Sequence, residues 1–124
     1  MQSKNSTQCK SILIVDDDDS IRQTLRLALE YEGYHVSTAE NGRDAISKLD
    51  VAPYPSLILL DLMMPVLSGW QLRERMLLDA RLRHVPVIVM SATADGSTIL
   101  QAEAVMRKPV DFEALTKLVK KFCS

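Results

Sequence analysis

Short apolar runs recur along the chain, and each one delivers a polar residue at its end. Ile12–Val15 stops on four consecutive acids, Asp16, Asp17, Asp18 and Asp19, and Leu57–Leu60 stops on Asp61. Val87–Met90 ends on Ser91, and a weaker run, Ala104–Met106, leads through Arg107 into Lys108. Apolar runs without alternation predict strands covered on both faces. Tyr34–Thr38 predicts a further short strand. The stretches between them carry helical spacing instead. Ile21, Leu25, Ala28 and Leu29 share one face of a helix that ends near Gly33, and Ala45, Ile46 and Leu49 mark a second. Leu72, Met76 and Leu77 mark a third, and Phe112, Leu115, Leu118, Val119 and Phe122 give an amphipathic last helix. Asn41-Gly42, Pro53 with Pro55, Pro65 with Gly69, and Pro86 punctuate the series.

Strands that alternate with helices imply right-handed crossovers and a parallel sheet covered on both faces. Ligands of such sheets bind beyond the carboxyl ends of the strands. That rule gathers Asp16, Asp17, Asp61, Ser91 and Lys108 along one edge.

Composition narrows the class. With 124 residues, 47% of them hydrophobic and 25% charged, the chain suits one globular domain. A formal net charge of -1 provides no global field for nucleic acid or an anionic membrane. The apolar runs are far too short to span a membrane. Residues 1–10 are polar, lack an apolar signal segment and read as a flexible N-terminal tail, so the expected location is cytoplasmic. Cys9 and Cys123 have no metal-like spacing and read as free thiols.

Carboxylates forced into one small site repel each other, and a hard divalent cation with oxygen ligands relieves that repulsion. Asp61, alone at its strand end, then suits a nucleophile toward phosphorus, with Lys108 and Ser91 stabilising charge on the transferring oxygens. Taken singly, each residue has a plainer role. Asp18 and Asp19 suit helix capping, Asp61 a loop acid, Ser91 a cap and Lys108 a solvated lysine. The joint arrangement carries the chemistry. Arg73, Arg75, Arg81 and Arg83 read as a solvated face, His84 as surface, and Trp70 as a ring packed partly into the core.

These segments resemble the receiver domain of bacterial two-component response regulators. The matching residues are Ile12–Asp17 followed by Ile21-Arg22, Asn41-Gly42 with Ala45, Leu57–Pro65 with Gly69, Val87–Ala92, and Lys108-Pro109. The resemblance covers residues 11–124 as the receiver domain. It implies an α/β, flavodoxin-like, doubly wound, five-stranded parallel sheet of order 2-1-3-4-5. It further implies that Asp61 is the phospho-acceptor and that Asp17 and Asp61 bind Mg²⁺ directly, with Mn²⁺ a substitute. Met63 would add its backbone carbonyl, and Asp16 would hold the ion through water. Ser91 would be the switch hydroxyl, Lys108 the phosphate-pairing lysine, and Lys108-Pro109 a cis peptide. The implied donor is a phosphohistidine on a sensor histidine kinase or phosphotransfer protein. Output would pass to a downstream protein partner or by onward phosphotransfer, from a stand-alone signalling domain that is a monomer or a weak phosphorylation-dependent dimer. A pseudo-receiver that works without phosphorylation is one alternative. A Mg²⁺-dependent phosphohydrolase is another, although Met63 stands where such enzymes place a second acid.

Two departures bear on output. Val105 occupies the position where many receivers place an aromatic ring, and valine has no ring to swing. Ser91 to Lys108 is a short interval, and Ala92–Gln101 is rich in small polar residues. The fourth helix of a receiver is therefore expected to be shortened or disordered. Output would then leave through another face, or the domain would act as a relay or sink. Met63 offers no polar group to orient water, which suggests slow self-hydrolysis.

Overall fold

Five strands form a parallel sheet in the order β2-β1-β3-β4-β5. They are β1 (Ser11–Val15), β2 (His35–Ala39), β3 (Leu57–Asp61), β4 (Val87–Ser91) and β5 (Ala104–Arg107). Four helices accompany them among the described residues: α1 (Asp19–Tyr31), α2 (Gly42–Leu49), α3 (Gly69–Leu78) and α4 (Phe112–Phe122). The computed structural model describes residues 10–51, 53–62, 64, 67–92 and 102–123. Most of the expected tail, Cys9, Met63 and residues 93–101 of the expected abbreviated helix lie outside the described residues.

The central strands β3 and β4 are buried along their whole length, as unbroken apolar runs require. β2 is an edge strand and alternates between exposed and covered positions. It begins one residue later than the sequence predicts. Gly33 adopts φ 99°, a turn that suits glycine, and the Tyr34 amide donates to the Leu29 carbonyl at 3.2 Å. Tyr34 therefore closes α1 rather than opening the strand.

The sheet separates two apolar layers. Leu13, Val15, Ile58, Leu60, Val87 and Val89 face one of them, together with Leu49, Leu72 and Met76 of α2 and α3. Ile12, Ile14, Leu57, Leu59, Ile88 and Met90 face the other, with Leu25 and Leu29 of α1 and Leu115 and Val119 of α4. Trp70 packs partly against the first layer. Cys123 is a free, buried thiol in the second.

Arg73 corrects the reading of a solvated arginine face. It is buried, 3% exposed, among the α3 residues that face the sheet. Burial lowers its pKa and the charge of Glu103 opposes that shift. Arg75, Arg81 and Arg83 are exposed, as is His84.

Candidate functional site

Strand register builds the site before any side chain is considered. Val15 pairs with Leu60, so Asp16 and Asp61 follow at one level on neighbouring strands. Asp61 in turn pairs with Met90, and Ser91 stands one position beyond it. Ser91 pairs with Arg107, and the Lys108 amide donates to the Ser91 carbonyl at 2.8 Å. Aligned residues of parallel strands point to the same side, so Asp16 and Asp61 share a face of the sheet with Met90.

Asp16 is fully buried and Asp61 is 4% exposed, whereas Asp17 is exposed. One carboxylate oxygen from each of the three lies within 4.8 Å of the others. Lys108 bridges two of them, its Nζ 2.8 Å from Asp16 Oδ2 and 3.5 Å from Asp61 Oδ2. Burial pulls the Lys108 pKa down, but the hydrogen bond and charge of Asp16 and the charge of Asp61 outweigh it and leave the pKa raised. Asp16 Oδ1 accepts from the Asp18 amide at 2.9 Å, so both oxygens of this buried acid are engaged. Ser91 is buried on the adjoining strand, 1% exposed. The Lys108-Pro109 bond that follows is cis.

The other two acids of the run open α1. Asp18 is the N-cap and accepts from the Ile21 amide at 3.1 Å, and Asp19 lies in the first turn. Arg22 pairs with Asp19 and donates to the Asp16 carbonyl at 2.7 Å. This brace beneath the site has only a weak signal in the sequence, the Asp19–Arg22 spacing on one helix face.

The far side of the site is fixed by α3. Ser68 and Gln71 form a capping box, with the Gln71 amide donating to Ser68 Oγ at 3.2 Å and the Ser68 amide to Gln71 Oε1 at 3.0 Å. The Gly69 amide donates to the Leu62 carbonyl at 3.1 Å. A Cβ on Gly69 would lie 2.7 Å from Leu62 Cα and would also strike the Asp61 carbonyl oxygen. Only glycine lets α3 begin so close to the strand that carries Asp61.

The chemistry of this donor set suits a hard cation. Among the described residues, the side-chain ligand atoms of this cluster are all carboxylate oxygens, and the exposed Asp17 opens it toward solvent. Mg²⁺ favours such sites, holding one or two carboxylates while keeping several waters.

Fold and site together define a doubly wound α/β domain with an acidic, lysine-bridged edge. The model of the response regulator receiver domain matches residues 12–120, and the chain belongs to that family. It is 36% identical over 116 residues to "Response regulator RR06" of Streptococcus pneumoniae serotype 2 (strain D39), which covers 89% of this chain and 51% of that protein. The chain spans about half, or less, of the length of the first curated relatives it matches. Among solved structures it is similar to the Vibrio cholerae chemotaxis protein CheY4, with a TM-score of 0.84 and 27% identity over 92% of this chain and 98% of that one. It is also similar to the Thermotoga maritima response regulator protein TrrA, solved in complex with Mg(2+)-BeF. There the TM-score is 0.81 and the identity 33%, over 91% of this chain and 98% of that one.

As a receiver domain the chain is a signalling module rather than a classical enzyme, of a family whose partners are histidine kinases. Its acidic triad resembles the Mg²⁺ site of receivers. Among the described residues, no helix is long and apolar enough to cross a membrane.

Proposed function

We propose that this chain accepts a phosphoryl group from a phosphohistidine donor onto Asp61, in a Mg²⁺-dependent reaction, and passes the signal to a partner protein or by onward phosphotransfer. Residues 11–124 act as the receiver unit in this reading, and its setting is the cytoplasm. The observation that carries it is the cluster itself, three carboxylates within 4.8 Å of one another with an ammonium bridging two.

A carboxylate oxygen of Asp61 attacks phosphorus, the new O–P bond forms, and the N–P bond to the donor imidazole breaks. When bound, Mg²⁺ would be held directly by Asp17 and Asp61, through water by Asp16, and by the backbone carbonyl of Met63. When bound, the ion neutralises charge that gathers on the phosphoryl oxygens. Lys108, 3.5 Å from Asp61, is close enough to pair with the same oxygens, and the Ser91 hydroxyl donates to one of them.

The donor has a landing place in this reading. A cleft of about 230 Å³ beside Lys108 is lined by Ile21, Leu25, Pro109, Val110 and Phe112, between α1 and the turn into α4. It suits an apolar helix carrying a phosphohistidine.

Incubation with a small acyl-phosphate donor tests the reaction. Intact mass should rise by one phosphoryl group with Mg²⁺ and stay unchanged without it, and Asp61→Asn should abolish the gain. A wild-type chain that never gains this mass at saturating donor and metal would overturn the reading in favour of a pseudo-receiver. Steady turnover of a phosphomonoester would instead favour a hydrolase.

A further inference from the structure

Asp17 is the exposed member of the acidic triad, and it enters no ion pair among the described residues. An acid that no cation holds takes its position from the backbone on either side. Here both flanking peptides are gripped. After Asp17, the Asp18 amide donates to Asp16 Oδ1 at 2.9 Å, which fixes the peptide between Asp17 and Asp18. Before it, Arg22 Nη1 donates to the Asp16 carbonyl at 2.7 Å, which fixes the peptide between Asp16 and Asp17. A peptide unit is planar, so a carbonyl held in one direction sets the plane that leads to the next Cα.

Arg22 reaches that carbonyl from the opening turn of α1, where its own amide donates to the Asp18 carbonyl at 3.0 Å. Its Nη2 pairs with Asp19 Oδ1. The Asp19 carboxylate faces water, whereas the Arg22 side chain is only 16% exposed. An ion pair with one partner so exposed contributes little to stability. A cation in the opening turn also stands against the helix dipole. Helix stability alone therefore does not call for an arginine at this position. The planar guanidinium fork, unlike an ammonium, donates in two fixed directions at once, to the Asp19 side chain and to the Asp16 carbonyl.

We propose that Arg22 is a positioning residue for Asp17 as a metal ligand. It holds the Asp16–Asp17 peptide so that the Asp17 carboxylate stays turned toward the oxygens of Asp16 and Asp61 when a divalent cation binds. This role presupposes that the triad holds Mg²⁺, as the proposed phosphoryl transfer requires.

Removing the guanidinium has two effects of opposite sign. Loss of a positive charge near three carboxylates strengthens their attraction for a cation. Loss of the grip on the peptide frees Asp17 and weakens binding, and groups that orient a metal ligand from behind alter affinity by about 10- to 100-fold. A positioning role requires the second effect to win.

Titration of the 124-residue chain with Mn²⁺ alone, the free ion read by electron paramagnetic resonance, separates the two. Arg22→Met should raise the dissociation constant about tenfold. Arg22→Gln, whose shorter side chain stops short of the carbonyl, should raise it likewise. Phosphorylation by a small acyl phosphate gives a second readout. The half-saturating Mg²⁺ concentration should rise in both variants, while the rate at saturating Mg²⁺ stays within about twofold of wild type. Dissociation constants equal to or below the wild-type value would overturn the proposal, because the charge effect would then stand alone. A rate that stays depressed at saturating Mg²⁺ would overturn it as well. A wild-type chain that binds no Mn²⁺ is a distinct failure, since it overturns the metal reading itself and this role with it.

Discussion

Asp16 and Asp61 have almost no access to water, and the Lys108 ammonium lies beside a carboxylate oxygen of each. With Asp17 adjoining, three carboxylates crowd within 4.8 Å of one another, and without a metal their mutual repulsion opposes folding. Replacing Asp61 with Asn removes one charge at nearly constant shape. Calorimetry without metal should then show a gain on the order of 1 kcal/mol, or roughly 3–6 °C in thermal midpoint. An unchanged or lower midpoint would contradict this account of the cluster. Added Mg²⁺ should raise the wild-type midpoint and leave Asp61→Asn nearly unmoved. The Lys108 pKa is raised in the folded state, so the stability its pairing provides is present through neutral pH. That stability is lost only as pH climbs beyond the ordinary lysine value of 10.5 and through the raised one. The acids were legible because each ends an apolar run. The inward turn of Arg73 was not, because the stem of an arginine packs like an apolar side chain and its charge partner, Glu103, is distant in sequence.

Among the elements, α3 is the one whose placement matters most to the acceptor strand. Its first residue, Gly69, lies against the backbone of Asp61 and Leu62, and a capping box fixes its first turn. Gly69→Ala would force one of two backbone segments to move. It should cost about 1–3 kcal/mol, read as a lower denaturant midpoint, and should slow phosphorylation by a small acyl phosphate. A midpoint equal to wild type would show that the approach is looser than described. The central strands could be read from sequence because burial on both faces leaves an unbroken apolar run. β2 was harder, since an edge strand alternates and Tyr34 belongs by its hydrogen bond to the end of α1. Leu77 counted toward a core stripe in the sequence, and Leu78, which the helical spacing leaves off that stripe, stands outside.

For the molecule as a whole, the order of the strands turns four local endings into one site. The Asp16-Asp17 pair, Asp61, Ser91 and Lys108 are far apart in sequence, and the register of β1, β3, β4 and β5 sets them along one edge. That gathering was legible because crossover handedness and the carboxyl-edge rule leave few alternatives for alternating strands and helices. The chain also spans about half, or less, of the length of its first curated relatives. The central claim is that Asp61 becomes the phosphorylated residue. Treatment with an acyl-phosphate donor and Mg²⁺, followed by borohydride reduction, converts a phosphoaspartate to homoserine, which peptide sequencing by mass spectrometry locates. Homoserine at position 61, dependent on Mg²⁺, is the predicted result, and conversion at Asp16 or Asp17 with position 61 unmodified would contradict the account.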